Sequence, residues 1–259
     1  MNKELEIKGF DFHCHIDLHP EPAALIDRCE NNRIAVLAVT TTPKAYSQNL
    51  LWTENKKYVH CAVGLHPELV GVRFVELDLL EKNISRSRLI GEVGLDGSPK
   101  YRSNYEKQKE VFLCALKTSQ KHGGRVMSIH SRRAAKDVID MIIKHIEPTN
   151  VITILHWFTA SITDAKRAID AGCYFSVNSA MVRSEKGRSL LKLIPVDKIL
   201  TETDSPFIKT SGRNSEPMDV MQTIVDLADL LGESASTIKE KIDKNSKKVF
   251  MFAGINLQK

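Results

Sequence analysis

Short apolar, β-branched runs alternate with longer amphipathic stretches along almost the whole chain. The runs Ile7 to His13, Ile34 to Thr40, Val59 to Gly64, Leu89 to Val93, Arg125 to His130, Val151 to His156, Tyr174 to Val177 and Ile199 to Glu202 have the length and branching of buried strands. Helical spacing is clearest over Ala23 to Asn31, Tyr105 to His122, Ala134 to His145, Thr163 to Ala171 and Gly187 to Leu193; the chain closes on two more helices, Met218 to Leu231 and Thr237 to Phe252. Eight strands alternating with helices, with no Pro/Gly/Ser linker, predict one α/β domain over residues 1–259, a single (β/α)8 TIM barrel. A doubly wound sheet is the alternative.

Composition narrows the class. With 42% apolar residues the chain can bury a large core, which excludes disordered and low-complexity proteins. Its apolar runs, such as Ile34 to Val39, fall far short of the roughly 18 residues of a membrane-spanning helix, so no membrane association is expected. The N-terminus, Met-Asn-Lys-Glu-Leu-Glu-Ile-Lys, mixes acids with bases and has no apolar secretion core. Five cysteines (Cys14, Cys29, Cys61, Cys114, Cys173) without a C-x-x-C pair fit reduced thiols and a cytoplasmic protein. A net charge of +5 is compatible with a phosphate-bearing substrate but does not demand one.

Polar residues stand where strands end. His13, His15, His66, Glu92, His130, His156 and Asp204 all fall at or just beyond C-terminal strand ends, which share one face of a parallel barrel. In Asp11-Phe12-His13-Cys14-His15 the two histidines are two residues apart, so an extended strand presents both to one metal ion and turns Cys14 away. Glu92, between Gly91 and Val93-Gly94 after apolar Leu89-Ile90, is costly to bury without a cation or strong donors. Asp96 either joins the site or supports the loop. His130 and His156 close two strongly apolar strands, and Asp204 ends the last one, where it can bind a metal and take a proton from an attacking water. Four histidines and two carboxylates suffice for two divalent ions if one carboxylate is shared, the donor set of two-metal hydrolysis. The chain has no G-x-x-x-x-G-K-[ST], G-x-G-x-x-G or G-x-S-x-G.

These motifs also resemble a known family. Asp11-Phe12-His13-Cys14-His15-Ile16-Asp17, Gly64-Leu65-His66-Pro67, Gly91-Glu92-Val93-Gly94-Leu95-Asp96, Ile129-His130-Ser131-Arg132, His156-Trp157-Phe158-Thr159 and Glu202-Thr203-Asp204-Ser205-Pro206 look like the TatD metal-dependent deoxyribonucleases, in the family's order, from about Phe10 to Phe250. The resemblance implies one metal on His13, His15 and Asp204, a second on His130 and His156, and Glu92 bridging them. It implies hydrolysis of DNA phosphodiesters, from the 3′ end of single strands, with Asp204 positioning the attacking water. His66, whose family counterpart serves the substrate pocket, is assigned to phosphate contact.

Other assignments stay open. Arg132 either forks onto a phosphate or is solvated, and Arg213 carries the same two readings. The ions can be Zn, or Mg or Mn. After Asp96 the chain reads Gly97-Ser98-Pro99 where the family has aromatic residues, Trp157 replaces a small residue, and Ser215 interrupts Asn214-Glu216-Pro217. Metal binding is therefore expected to persist with nucleic-acid selectivity shifted. The alternatives are an amidohydrolase or deacylase with the same metals, or a metal-containing accessory subunit working with partner proteins, for example in a defence system.

Overall fold

The structure, a computed structural model, describes residues 6–210 and 212–257; the first five residues of the N-terminal segment, Ser211 and the last two residues lie outside the described residues. The eight expected strands form, as β1 (Gly9–Cys14), β2 (Ile34–Val39), β3 (Val59–Ala62), β4 (Leu89–Gly94), β5 (Arg125–His130), β6 (Val151–His156), β7 (Tyr174–Val177) and β8 (Ile199–Thr201). They pair in parallel and in chain order, β1 to β3 and β4 to β8. Two seams join these sheets. Val63 bridges to Ile90 and Cys14 to Ser205, with Gly91 N–H donating to Val63 O and Asp204 N–H to His13 O, both at 2.9 Å. Closure of β8 on β1 makes a (β/α)8 barrel and rules out the doubly wound sheet.

The sequence pattern misses two longer helices, Pro43–Thr53 and Leu77–Arg86, besides the short turns of helix Val70–Arg73 and Ser179–Arg183. The first buries Tyr46, Asn49 and Thr53 rather than an apolar stripe, so it carries no clear amphipathic signal. The second is only ten residues long and buries just Leu80 and Ile84. A small hairpin, Lys209–Thr210 with Arg213–Asn214, follows β8.

Side chains alternate between two cores. Phe10, Phe12, Leu37, Ile154 and Leu200 point inward and meet Phe250 of the C-terminal helix Ala235–Phe252, which plugs the barrel floor with its ring 5.0 Å from Phe12. Met127, Ile129, Leu155 and Phe175 point outward into the helix layer. On β5, β6 and β8 strict alternation carries the inward face from Val126, Ile154 and Leu200 up to His130, His156 and the loop bearing Asp204.

β1 and β4 break that alternation. Phe10 and Phe12 face the barrel interior, so unbroken period two would bring Cys14 inward as well. Instead the pairing register shifts between Asp11 and Cys14, and Cys14 packs outside with Leu25 and Ile26. His13 and His15 thereby take the interior. In β4 a shift between Ile90 and Val93 leaves Val93 in the outer core and turns Glu92 in.

His60 on β3 lies against Phe250, ring centroids 5.6 Å apart, with its Nε2 buried and unpartnered. Burial pushes its pKa down from 6.5 to about 4. The unfolded chain therefore binds a proton near pH 6.5 that the folded chain refuses until about pH 4, and stability drains as pH falls through that window. His60→Leu is expected to reduce the loss of unfolding free energy between pH 7 and 4.5 by about 2 kcal/mol. Urea titrations at both pH values check this; equal losses in the two proteins would refute it.

Candidate metal centre

Glu92 is the hub of the barrel mouth. Its Oε2 lies 3.3 Å from both His13 Nε2 and His15 Nε2, which are 3.2 Å from each other. Asp204 Oδ1 closes this side at 3.8 and 3.6 Å from the same two nitrogens. The other oxygen, Oε1, meets His130 Nδ1 at 2.6 Å, His156 Nε2 at 3.0 Å and His66 Nε2 at 3.2 Å. The His13 and His156 rings stack at 3.8 Å. All six metal-ligand candidates and His66 thus converge, while Arg132 lines the rim of the same cavity of about 650 Å³.

Glycine makes the convergence possible. A Cβ on Gly64 would overlap the Glu92 backbone, and one on Gly94, at φ 139°, would overlap His130 O. Asp204 (φ 48°) and Trp157 (φ 38°) hold left-handed backbone, which non-glycine residues seldom adopt. Each is pinned, Asp204 N–H to His13 O at 2.9 Å and Trp157 N–H to Glu202 Oε1 at 3.1 Å.

A supporting layer orients the rings. His13 Nδ1 is 2.7 Å from Ser128 Oγ, and His130 Nε2 is 3.0 Å from Asp96 Oδ2. Glu202 accepts hydrogen bonds from Ser176 and from Asn178 Nδ2 and stands 3.6 Å from His156 Nδ1. Asp11 accepts from His13 N–H and from the Thr203 N–H and hydroxyl, tying β1 to the loop after β8. Sequence reading passed over Ser128, Glu202 and Asp11. Period-two counting could have found the first two, since each lies two residues before a site residue on an inward face. Asp96 both holds His130 and accepts from Ser98 N–H at 2.7 Å, so it serves site and loop together.

His66 differs from the other rings. The Glu68 N–H donates to its Nδ1 at 3.2 Å, so the neutral ring carries its proton on Nε2 and offers a donor where it faces Glu92. Arg213 forks onto Asp219 at 2.9 and 2.7 Å, which settles its two readings in favour of a surface ion pair. Arg132 is exposed and makes no ion pair among the described residues.

Electrostatics fit a cation. Burial pushes Asp204 up to about 7. Burial also pushes Glu92 upward, but His66, His13 and His156 outweigh it and hold the carboxyl well below its usual range. His13 is driven well down by burial and by His156, whereas burial of His156 is outweighed by Glu92 and Glu202, which raise it. Burial raises Asp96 too, yet hydrogen bonds from His130 and Ser98 bring it down to about 2. With His13 Nδ1–H turned to Ser128, the lone pairs of His13 Nε2, His15 Nε2 and buried, otherwise unpartnered Glu92 Oε2 meet in a triangle of 3.2 to 3.3 Å edges. Ligands about 2.0–2.1 Å from one tetrahedral ion are spaced by about 3.3 Å. Three residue groups here can hold an ion, His13 with His15 and Glu92, His13 with His156 and Asp204, and His66 with Glu92 and His130.

Comparison with known proteins gives the family. The sequence signature of the TatD related DNase family matches residues 10–251. The chain belongs to that family. With it, the protein is a metal-dependent hydrolase of the TatD type. It is 27% identical to an uncharacterized metal-dependent hydrolase of Buchnera aphidicola, over 93% of this chain and 95% of the relative. It is 26% identical to the human protein named deoxyribonuclease TATDN3, over 93% of both chains. The crystal structure of YjjV, a TatD homologue from Escherichia coli, superposes with a TM-score of 0.84 at 24% identity, covering 95% of this chain and 98% of that one, which confirms the TatD barrel fold. Among the described residues no helix is long and apolar enough to cross a membrane.

The ring geometry separates ligands from donors. Glu92→Ala is expected to abolish most divalent-metal binding, whereas His66→Ala retains it, as measured by metal content after equilibrium dialysis of folded protein. Loss of metal in His66→Ala to the level of Glu92→Ala would overturn the donor assignment.

Proposed function

We propose that this protein is a divalent-metal-dependent deoxyribonuclease that hydrolyses phosphodiester bonds, preferring single strands and working from the 3′ end. In this reading residues 1–259 act as one barrel enzyme. Its cytoplasmic location is supported by five cysteines that are all free thiols. The observation that carries the reading is the split of one buried carboxylate, Oε2 toward His13 and His15 and Oε1 toward His130 and His156. That split suits a carboxylate shared by two ions. One ion would be held by His13, His15 and Asp204 and the other by His130 and His156, with Glu92 between. Bound Mg, Mn or Zn would supply Lewis acidity, lowering the pKa of water and neutralising charge on the phosphoryl oxygens.

The chain's own groups do the rest. Asp204, beside the cluster at the cavity wall, takes the proton of the attacking water. The water oxygen bonds to phosphorus as the bond to the departing sugar oxygen breaks. His66 Nε2–H donates to a non-bridging phosphate oxygen, its direction fixed by the Glu68 N–H on Nδ1. Arg132, at the rim and without an ion pair among the described residues, reaches a phosphate as a fork. Ser128, Asp96 and Glu202 keep the rings of His13, His130 and His156 oriented. The name of the human relative supports DNA as the substrate class.

End-labelled single-stranded and duplex DNA, with Mg, Mn or Zn restored after chelation, tests this directly. Wild type should degrade the single strand only with metal present, and Asp204→Asn should lose at least about a thousandfold in kcat while still binding metal. No hydrolysis with any metal, despite about two equivalents bound, would replace this reading with a deacylase or a partner-dependent subunit.

A further inference from the structure

The cavity wall carries an exposed aromatic group that metal chemistry leaves unused. Phe207 is the sole exposed aromatic side chain among the described residues, 61% open to solvent, although the other large exposed apolar groups are aliphatic or Met. A ring in water gains nothing from folding, yet this one is fixed in place. Its N–H donates to Asp204 O at 2.8 Å, buried Ser205 and Ile208 anchor the turn around it, and its ring meets His15 near a right angle, 78°, at 5.2 Å. It lines the same cavity as Asp204, His66 and Arg132, with half-buried Trp157 also on the wall. On the β4 side the chain runs Gly97-Ser98-Pro99, and no aromatic side chain from that side is among the described residues lining the cavity.

We infer that Phe207 is a stacking platform for a nucleobase next to the phosphate being cleaved, and that it selects strands whose bases are unpaired. The inference rests on the deoxyribonuclease reading above. A phosphate lodged among His66, Arg132 and the imidazole cluster brings its attached nucleoside against the wall, where Phe207 is the ring with a free surface. Every base has a π-face, so stacking there is tolerant of sequence. A base in a duplex is already stacked and paired and cannot use the platform without being extruded. Phe207 is then a specificity residue: it acts on substrate binding and leaves bond cleavage to the groups named above.

The test compares two single strands of equal length and charge, oligothymidylate and a strand in which every base is replaced by hydrogen. Wild type should favour the strand with bases by about tenfold or more in kcat/KM, mostly through KM. Phe207→Ala should bring that ratio close to one, and Phe207→Trp should restore it. A prop for His15, without stacking, would lower both strands in parallel and leave the ratio unchanged, which would overturn the inference while the nuclease reading stands. Equal rates on both strands in wild type would do the same. Failure of wild type to cleave either strand would remove the nuclease reading itself, and the platform with it.

Discussion

Everything at the barrel mouth is arranged around a carboxylate that has been taken out of water. Moving an ionised carboxyl into a protein interior costs several kcal/mol unless opposite charge or strong donors replace its hydration. Glu92 is almost completely buried, and imidazoles from five positions surround its two oxygens. Four of these come from three separate strands or their ends, and the fifth, His66, from the loop after β3. No local stretch of chain could supply that shell. It exists only because parallel strands bring their ends to one face.

Fitting such a shell above an apolar core requires changes of phase. The lower barrel is filled by Phe10, Phe12, Leu37, Ile154 and Phe250, whose interdigitation fixes the strands. β5, β6 and β8 pass from core to site by plain alternation. β1 and β4 do so by local register shifts, placing His13, His15 and Glu92 inward and handing Cys14 and Val93 to the outer layer. The glycines at 64 and 94 remove the side chains that would otherwise hold the backbones apart at this level.

A second layer of polar groups turns proximity into orientation. Ser128, Asp96 and Glu202 each face the ring nitrogen that does not point at Glu92, or the nearest position to it, and Asp11 ties the first strand to the last loop. Such partners fix which nitrogen keeps its proton, and with it which residue is a metal donor and which a hydrogen-bond donor. His66 shows the difference: its Nδ1 is occupied by a backbone N–H, so it presents a proton where its neighbours present lone pairs. The cavity wall is a separate design problem, solved by rings on the β6 and β8 sides and none on the β4 side.

The sequence by itself determined the eight strands, their alternation with helices and the histidines and carboxylates that meet at the barrel mouth, while closure of β8 on β1 decided for the barrel over the doubly wound sheet. Period and branching mark every strand because each must bury both faces, and His13, His130 and His156 stand out because a polar residue closing such a run needs a partner. The helix Pro43–Thr53 escaped because its inward face is polar, and Ser128 and Glu202 because a hydroxyl or carboxyl inside a strand has no meaning until its partner is known. Only the tertiary structure decided the phase shifts of β1 and β4, the pairing of Arg213 with Asp219 and the tautomer of His66. Each depends on a contact between residues whose closeness is set by closure of the barrel or by the path of a loop, and no period along the chain encodes it.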